Sequence, residues 1–447
     1  MASFSLFNLV SVVAVFILQI YGLVLHESLP GIPPGWAVYS VPENTSQIIL
    51  QISLAQQNID KLETTLASVS TPGSPQYGHY LDLDEVNAMF GATNESYTAV
   101  ESWLESYGVT NYFPQGGSYW FQTNISTANI MLNTTFKSYQ DTTGNTKLRT
   151  IQYSIPENLV GHVALISPTT YFGNVKAMRT SRREYQRQLP KRATPPAVCE
   201  MTLGYDDETF TVFGPACLKI IYNINGYTPS VDSGSKIAFG SFLNQSASFS
   251  DLTLFQEYFD IPVQNFSVVL VNPQDGATDL PQPPLPENDG EANLDSQYIS
   301  GISHPLPFVE YITAGEAPYF PDPTEPAGTP DENEPYLPYY EYLNSQPNSA
   351  LPQVITNSYG DEEQTVPEAY AIQVCNLIGL LGLRGISVLE SSGDEGVGAS
   401  CLSTDGTQLQ FNPIFPVSYT WRLSLRHQLI LLSICRLPAH TSPALAA

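Results

Sequence analysis

The stretch that decides the fold is "YAIQVCNLIGLLGLRGISVLESSGDEGVG", Tyr370–Gly398. Its long apolar helical segment leads into the buried-strand pattern "ISVLE", which ends in a Gly-rich turn. Upstream, strand-like and helical runs alternate in the same way: "KIAFGSFL", "FSVVLVN", "EANLDSQYISGIS", "PFVEYITA" and "PQVITNSYG". This alternation predicts an α/β fold with a mainly parallel sheet and flanking helices. Asp394 follows the last strand, where such sheets collect functional residues, although Gly-Asp pairs also build ordinary turns.

The N-terminal part of the chain has a different pattern. The segment "QIILQISLAQQNIDKLETTLASVS" has apolar residues at intervals of three and four, which predicts a helix. Pro and Gly in "TPGSPQYG" end it, and the Asp-rich "LDLDEV" begins the next helix. With the helical "YTAVESWLESYGV" and the strand "GSYWFQTNIS", this part is predicted to be an independent α+β domain over residues 23–175.

Residues 1–22 have the apolar run of a secretory signal peptide, with no acidic residue before Glu27. A membrane anchor is the alternative, because the run is long for a signal peptide. Export is supported by Asn-x-Ser/Thr sequons at Asn44, Asn94, Asn124, Asn133, Asn244 and Asn265. We therefore expect a secreted, extracellular protein that has no contact with the membrane once the signal peptide is removed.

The composition indicates a folded and strongly acidic protein. Of its 447 residues, 42% are hydrophobic and 13% charged, the net charge is −26, and the isoelectric point is near 4.3. That charge disfavours nucleic-acid partners, whose phosphates it would repel. It suits a protein that stays soluble in an acidified medium, where many carboxylates become protonated.

Residues 176–192 form a basic linker that separates the two predicted domains. Seven of the 17 basic residues of the chain lie within these positions. Lys191 and Arg192 precede the Pro-rich "ATPPAV" and form a dibasic site that a processing protease could reach. A plain solvated linker is the alternative to this propeptide junction.

Glu291 and Asp295, in "DGEANLDSQY", are spaced to lie on one face of a helix. On spacing alone such a pair is usually a solvated helix surface. A histidine-dependent serine protease is disfavoured, because His304 is the only histidine between Ala193 and Ser418.

The second domain, residues 193–418, resembles the sedolisins, which are serine-carboxyl peptidases, and most closely their secreted fungal tripeptidyl-peptidases. The resemblance rests on ordered motifs: "GPACLKIIYNI", "GSFLNQSASFSDLTLF", "GEANLDSQYISGISHPLP", "NEPYLPYYEYL", "VITNSYGDEE", the opening stretch above and "FNPIFPVS". The first domain resembles the family's pro-kumamolisin activation domain through "LETTLASVSTPGSPQYGHYLDLDEV". The similarity covers Val24 to Ser418.

The resemblance implies a subtilisin-like fold in which glutamate replaces the histidine of the Ser-His-Asp arrangement. Glu291 is then expected to be the general base, and Asp295 to orient it. Asp394 is expected at the oxyanion site, where a protonated carboxyl donates a hydrogen bond. The "NSYG" segment, with Ser358, Tyr359 and Gly360, is expected to pair with the substrate backbone. This division of labour requires acid, in which a histidine base would be protonated.

Five cysteines remain to be assigned. In an oxidising compartment we expect Cys199 to pair with Cys217 and Cys375 with Cys401, which leaves Cys435 over.

The resemblance stops at Ser418. The family's Gly-Thr-Ser nucleophile motif and its calcium loop are absent, and residues 419–447 match nothing in the family pattern. Ser442, in "HTSP", lacks the preceding glycine and is not expected to be a nucleophile. Glu390 also departs from the pattern, since an apolar residue is usual before "SSGD". Our hypothesis for the tail is a gene model or transcript that reads into an intron near Val417-Ser418, or a frameshift.

These observations predict a secreted, acid-acting serine-carboxyl peptidase that is made as a zymogen and releases tripeptides from peptide N-termini; a related endopeptidase that cuts internally is the alternative. Its partners are expected to be peptide or protein substrates and its own propeptide. Calcium is a cofactor of the family, but no residue here is assigned to it. The chain as printed is expected to be inactive. The alternative is a secreted, non-enzymatic binder or inhibitor of intact relatives.

Overall fold

The computed structural model describes residues 22–142, 144–173, 176–177, 199, 201–205, 208–243, 245–271, 282, 284, 289–313, 336–394, 401, 403 and 407–419. The expected signal peptide, the Lys191-Arg192 site and most of the tail, with Cys435 and Ser442, lie outside these ranges. No helix within the described part combines the length and apolar character needed to cross a bilayer.

The N-terminal domain, here residues 22–173, combines antiparallel sheets with short helices. Its strands are β1 Leu23–Ser28, β2 Trp36–Ser40, β3 Gln47–Leu54, β4 Tyr112–Gln115, β5 Ser118–Asn124, β6 Lys137–Asp141, β7 Thr146–Arg149, β8 Gln152–Pro156 and β9 Val163–Ser167. Its helices are α1 Leu62–Ser70, α2 Leu83–Phe90, α3 Asn94–Ser106 and α4 Ile125–Met131. The largest sheet has the order β4-β5-β3-β9, beside a three-stranded sheet β2-β6-β7 and the pair β1-β8.

One sequence prediction in this domain is wrong. Gln47–Leu54 was predicted to be helical but forms strand β3, which pairs with both β5 and β9. Ile48, Leu50, Ile52 and Leu54 alternate along it and enter the domain core. The intervening Gln51 and Ser53 are also buried, so both faces of the strand are covered and the polar alternation that marks a strand is weak. The predicted helix begins only at Leu62.

The turn and the next helix follow the sequence prediction. Helix α1 ends at Ser70, before the Pro- and Gly-containing segment. Asp82 caps α2 by accepting a hydrogen bond from the Glu85 backbone N–H, while the Glu85 carboxylate accepts one from the Asp82 backbone N–H. This reciprocal arrangement satisfies two of the unpaired donors at the helix start.

The C-terminal domain, here the described residues from 208 onward, is built on a parallel sheet. After β10 Lys176–Ala177 and β11 Met201–Tyr205 come β12 Glu208–Val212, β13 Ile237–Ser241, β14 Ser267–Val271, β15 Phe308–Thr313, β16 Val354–Asn357, β17 Tyr359–Glu362, β18 Ser387–Glu390 and β19 Ile414–Phe415. The helices are α5 Pro215–Ile221, α6 Phe249–Tyr258, α7 Gly290–Ser303, α8 Tyr336–Ser345 and α9 Glu368–Leu383. The sheet order is β14-β15-β13-β16-β18, and every pairing in it is parallel. The predicted mixed α/β architecture with a parallel sheet is therefore confirmed.

The two domains contact each other through α1 and α9. Leu62 and Leu66 of α1 lie against Gly379 and Gly382 of α9, where a Cβ on Gly379 would come within 2.9 Å of the Leu62 side chain. Leu380 and Leu383 join the same apolar cluster. The glycines thus let the two helices approach closely, as small residues do at helix contacts.

One expected disulfide is present. Cys199 and Cys217 are bonded, with their Cα atoms 4.9 Å apart. Cys375 is buried in α9 and is also disulfide-bonded. Its pairing with Cys401 stays a prediction.

Candidate active site

Helix α7 carries the predicted acid pair. Glu291 lies in its first turn and Asp295 one turn later, and the Glu291 residue is only 1% exposed to solvent. Its backbone N–H donates a hydrogen bond to Gln245 Oε1 at 3.4 Å. The helix packs against α5, α6, β13 and β15, and Gly301 allows close contact with Pro215. The two carboxyls therefore face the domain interior and do not form a solvated helix surface.

Asp295 is held by a serine from the neighbouring strand region. Ser358 Oγ donates a hydrogen bond to Asp295 Oδ1 at 2.7 Å. Burial raises the pKa of Asp295 to about 7, and the Ser358 hydrogen bond opposes that rise. Asp295 Oδ2 is also buried and has no hydrogen-bond partner among the described residues. Burial without a cation is the condition that keeps a carboxyl protonated near neutral pH.

A third carboxyl, Glu310 on β15, joins this site. Its Oε1 accepts hydrogen bonds from Ser241 Oγ at 2.7 Å and from the Ala247 backbone N–H at 2.8 Å. Burial raises the pKa of Glu310 to about 7, and the charge of Asp295 raises it further. Glu310 belongs to no motif that we identified. The only signal in the sequence was an acid inside the apolar strand pattern "PFVEYIT".

The Tyr359 hydroxyl is influenced by the charges of all three carboxyls. The Tyr359 side chain is fully buried, and burial raises the pKa of its hydroxyl well above the ordinary value. The charges of Asp295, Glu291 and Glu310 raise it further. We refer to Glu291, Asp295 and Glu310 as the acidic cluster.

The edge expected to bind substrate lies beside this cluster. Strand β17 begins at Tyr359, and Tyr359 and Gly360 pair antiparallel with Ala177 and Lys176 of β10. The same strand pairs further along with β19. The backbone groups of Tyr359 and Gly360 can therefore pair with an extended chain. In this structure they pair with the first residues of the linker. The Ser358 hydroxyl donates to Asp295, and the expected pairing of Ser358 with substrate backbone stays a prediction.

Asp394 follows β18 and lies on none of the elements that carry the acidic cluster. Asp394 lies four residues beyond the end of β18 and is exposed, whereas Glu291 and Asp295 are buried. Its place at the carboxyl edge of the sheet agrees with the sequence prediction, and its oxyanion role stays a prediction.

Glu390, the departure from the family pattern, is accommodated by polar partners. Tyr340 OH and Asn357 Nδ2 donate hydrogen bonds to its Oε1, the latter at 2.8 Å. Burial raises the pKa of Glu390 to about 8. A neutral carboxyl therefore fills a position that is usually apolar.

Within the described part of the chain, no group of three or more His, Cys, Asp or Glu side chains has an arrangement that could hold a metal ion. We assign none of these residues to the calcium of the family.

Comparisons with known proteins match both domains. The family model "Pro-kumamolisin, activation domain" matches residues 34–172. Tripeptidyl-peptidase sed4 of Aspergillus fumigatus is 46% identical over 399 residues, which are 88% of this chain and 64% of that protein. A probable tripeptidyl-peptidase SED2 of Arthroderma benhamiae is 34% identical over 88% of this chain and 65% of that protein.

A solved structure of Pseudomonas sedolisin, a serine-carboxyl proteinase complexed with two molecules of pseudo-iodotyrostatin, is 15% identical. It aligns over 46% of this chain and 50% of that one with a TM-score of 0.33, too low to establish a shared fold. This chain spans somewhat less than two thirds of the length of the curated fungal relatives that it matches. Its activation domain and its identity to the fungal tripeptidyl-peptidases place it in a family: the chain belongs to the sedolisins.

Proposed function

We propose that the chain is the zymogen part of a secreted serine-carboxyl peptidase that acts in acid and releases tripeptides from peptide N-termini. Proteins named tripeptidyl-peptidases are its fungal relatives, and its first domain matches an activation domain. In this proposal the parallel sheet is the core of a subtilisin-like domain at residues 193–418. The signal peptide, propeptide and linker boundaries at 22, 175 and 192 belong to the same proposal.

The observation that carries the proposal is the acidic cluster beside β17. Glu291 and Asp295 project from one face of α7, and Ser358 donates a hydrogen bond to Asp295. A solvated helix pair would be exposed and would need no such support. Burial of several carboxyls with few cations nearby is costly to the fold, and functional sites are where such costs are commonly found.

The roles follow from the chemistry of the cluster. Glu291 acts as the general base that takes the proton of an attacking serine hydroxyl. Asp295 orients Glu291 and supports the proton that arrives there, as the aspartate of a Ser-His-Asp triad does for histidine. Outside the cluster, at the carboxyl edge of the sheet, Asp394 supplies a hydrogen-bond donor to the developing oxyanion.

The preference for acid has a physical basis in the same residues. Asp295 and Glu310 have pKa values near 7, so each is mainly protonated in acid. Proximity of like charges separates the protonation states of neighbouring carboxyls, which lets one remain a base while another holds a proton.

Zymogen control is supported by the pairing of β10 with β17. The first linker residues lie on the edge that an extended peptide substrate would use. Cleavage at Lys191-Arg192 would cut the linker and free this edge. The proposed substrate contacts are the backbone groups of Tyr359 and Gly360, with Ser358 supporting Asp295.

The first experiment asks whether the transcript encodes a nucleophile, because no Gly-Thr-Ser motif occurs in the sequence. The transcript is sequenced across the codons for Pro416 to Tyr419, and both the encoded protein and the chain as printed are expressed. We expect the form with a Gly-Thr-Ser segment to release N-terminal tripeptides at acid pH. Glu291→Gln should lower kcat by roughly 10³-fold or more.

The control variant is Glu257→Gln, which changes an exposed acid on the neighbouring helix α6 and should leave activity unchanged. An active Glu291→Gln enzyme would contradict the proposed base. If the transcript contains no Gly-Thr-Ser segment and neither form is active, the peptidase proposal fails.

A second function is favoured by one observation. The N-terminal domain has its own apolar core, formed by residues from β3, α3, β5, α4 and β9. Such a domain could bind and inhibit intact relatives in trans. Inhibition of a related tripeptidyl-peptidase by the printed chain, with no activity of its own, would support this function.

A further inference from the structure

Glu341 on α8 is a buried carboxyl outside the acidic cluster. Its residue is fully inaccessible to solvent, although it lies in the middle of a helix of the C-terminal domain. Its Oε1 accepts hydrogen bonds from Gln51 Nε2 at 2.5 Å, from Ser118 Oγ at 2.5 Å and from Ser53 Oγ at 3.3 Å. All three donors belong to the N-terminal domain.

The three donor side chains lie next to one another on strands β3 and β5 of the N-terminal domain. Gln51 and Ser53 lie on β3 between the apolar residues that enter the domain core, and Ser118 lies opposite Ser53 on β5. Ser118 Oγ also bonds Ser53 Oγ at 3.0 Å, so the three side chains form a connected group. All of them are buried in the docked arrangement.

The backbone is shaped to the same contact. Gly116, in the turn between β4 and β5, has a φ of +58°. A Cβ at this position would come within 2.5 Å of the Glu341 carbonyl oxygen. Both the conformation and the space therefore require glycine where the turn meets α8.

The surroundings of Glu341 favour its neutral form. Burial raises the pKa of Glu341 to about 8, and hydrogen bonds from Ser118, Ser53 and Gln51 oppose the rise. No charged group is among these leading influences. Titratable or charged groups on the elements that pack around it are Tyr112, Tyr119, Tyr339, Tyr340, Tyr342, Glu368, Tyr370, Arg384 and Glu390.

Two charged members of that set, Arg384 and Glu390, make hydrogen bonds with residues other than Glu341. Arg384 donates hydrogen bonds to Asn348 Oδ1 and to the backbone carbonyls of Asn344 and Gln346. Glu390 accepts from Tyr340 and Asn357. Glu368 lies in the first turn of α9.

We propose that Glu341 is the polar anchor by which the C-terminal domain holds the activation domain, and that docking takes up a proton at this carboxyl. The partner is the Gln51, Ser53 and Ser118 surface of the same chain. Docking is therefore tightest in acid and weakens as the pH rises.

The direction follows from linkage. A carboxyl whose pKa is higher when docked stabilises the docked state fully below its ordinary value of 4.5 and loses that contribution as pH rises through about 8. Asp361 accepts a hydrogen bond from Tyr171 OH at 2.9 Å across the same contact. Burial raises its pKa to about 6, while Tyr171 and Lys147 oppose the rise. Acid alone would thus hold the domains together, so release in acid requires cleavage of the linker.

The test is hydrogen–deuterium exchange on the full chain between pH 5 and pH 9, corrected for the intrinsic exchange rate. We expect opening at α8 and β3 to increase with pH, by up to about tenfold per unit below pH 8. Helix α3, on the N-terminal domain away from the contact, is the internal control and should change less. A wild-type profile in which α8 and β3 do not respond to pH would overturn the proposal.

The matched variants separate the anchor from other buried acids. Glu341→Gln keeps the size and an acceptor oxygen but cannot ionise, so the pH dependence at α8 and β3 should shrink. Glu310→Gln removes a buried acid of the acidic cluster and should leave the interface profile as in wild type. Equal slopes in Glu341→Gln and wild type would contradict the proposal. If Glu341→Gln does not fold, the wild-type profile still decides.

Discussion

The acidic cluster and the Glu341 contact are two answers to the same physical problem. Both bury carboxyls, and burial raises the pKa values of Asp295 and Glu341 to about 7 and about 8. In the cluster, the charge of Asp295 acts on a second carboxyl, Glu310, and the donors come from the same domain. Around Glu341, the donors come from the other domain.

This difference teaches that burial and a raised pKa do not by themselves identify a catalytic acid. Neighbouring carboxyls allow a proton to be shared and moved, which is what acid–base chemistry needs. A lone neutral carboxyl that collects donors from another domain instead makes a contact sensitive to pH. The neighbours of each group therefore decide its role.

The largest expected effect separates the two sites by activity. In the form that carries a Gly-Thr-Ser segment, Asp295→Asn should lower kcat by roughly 10³-fold or more, because the base loses the carboxyl that orients it and shares its proton. Glu341→Gln should leave kcat of the processed enzyme unchanged. Steady-state assays of tripeptide release at acid pH measure both variants, and a comparable loss of kcat in the two would remove the distinction.

A third buried acid, Glu390, extends the comparison to the free energy of unfolding. The pKa of Glu390 is raised from 4.5 to about 8, so its contribution to folding is complete below pH 4.5 and is lost as pH rises through 8. Glu390→Gln cannot ionise and should reduce the fall in unfolding free energy between pH 4 and pH 8 by up to a few kcal/mol.

Urea unfolding at the two pH values measures that change. Glu257→Gln, at an exposed position on α6, is the control. Identical pH dependence in Glu390→Gln and wild type would show that the native state holds Glu390 in the same protonation state as the unfolded chain.

The apolar contact between the two domains is expected to weaken when side-chain volume is added to it, and this weakening should not depend on pH. A Cβ on Gly379 would lie 2.9 Å from Leu62, so Gly379→Val should weaken the contact of α1 with α9 by about 1–3 kcal/mol. Gly161→Ala, at a position with open space, is the control. Hydrogen exchange at α1 should rise equally at pH 5 and pH 8. A rise confined to pH 8 would mean that the apolar and polar contacts are not independent.

The sequence predicted the features that depend on local pattern. The parallel sheet, the capped helix at Asp82 and the helical placement of Glu291 with Asp295 all rest on periodicity or spacing within a few residues. Strand β3 was predicted as a helix because both of its faces are buried, one of them by the other domain.

Features that depend on distant contacts were not predictable. Glu341 meets its donors across 223 to 290 positions of the chain, and "PYYEYL" alone gives no reason to expect a buried carboxyl. Glu310 faces residues brought together only by the order of the strands. The Ser358 side chain meets Asp295 across 63 positions, so its motif indicated the backbone role and not this hydrogen bond.

The smallest effect that we expect concerns that hydrogen bond. Ser358→Ala removes a donor to the ionised form of Asp295, so the pKa of Asp295 should rise further above its ordinary value, by about one unit if the bond contributes about 1–2 kcal/mol. Carboxyl ¹³C NMR titration of the full chain measures the shift. Ser250→Ala, at an exposed serine on α6, should leave the Asp295 pKa unchanged, and Ser358→Thr should restore it. If Ser358→Ala left the Asp295 titration where it is, Ser358 would hold the position of β17 without tuning the acid, and the support of the cluster would come from burial alone.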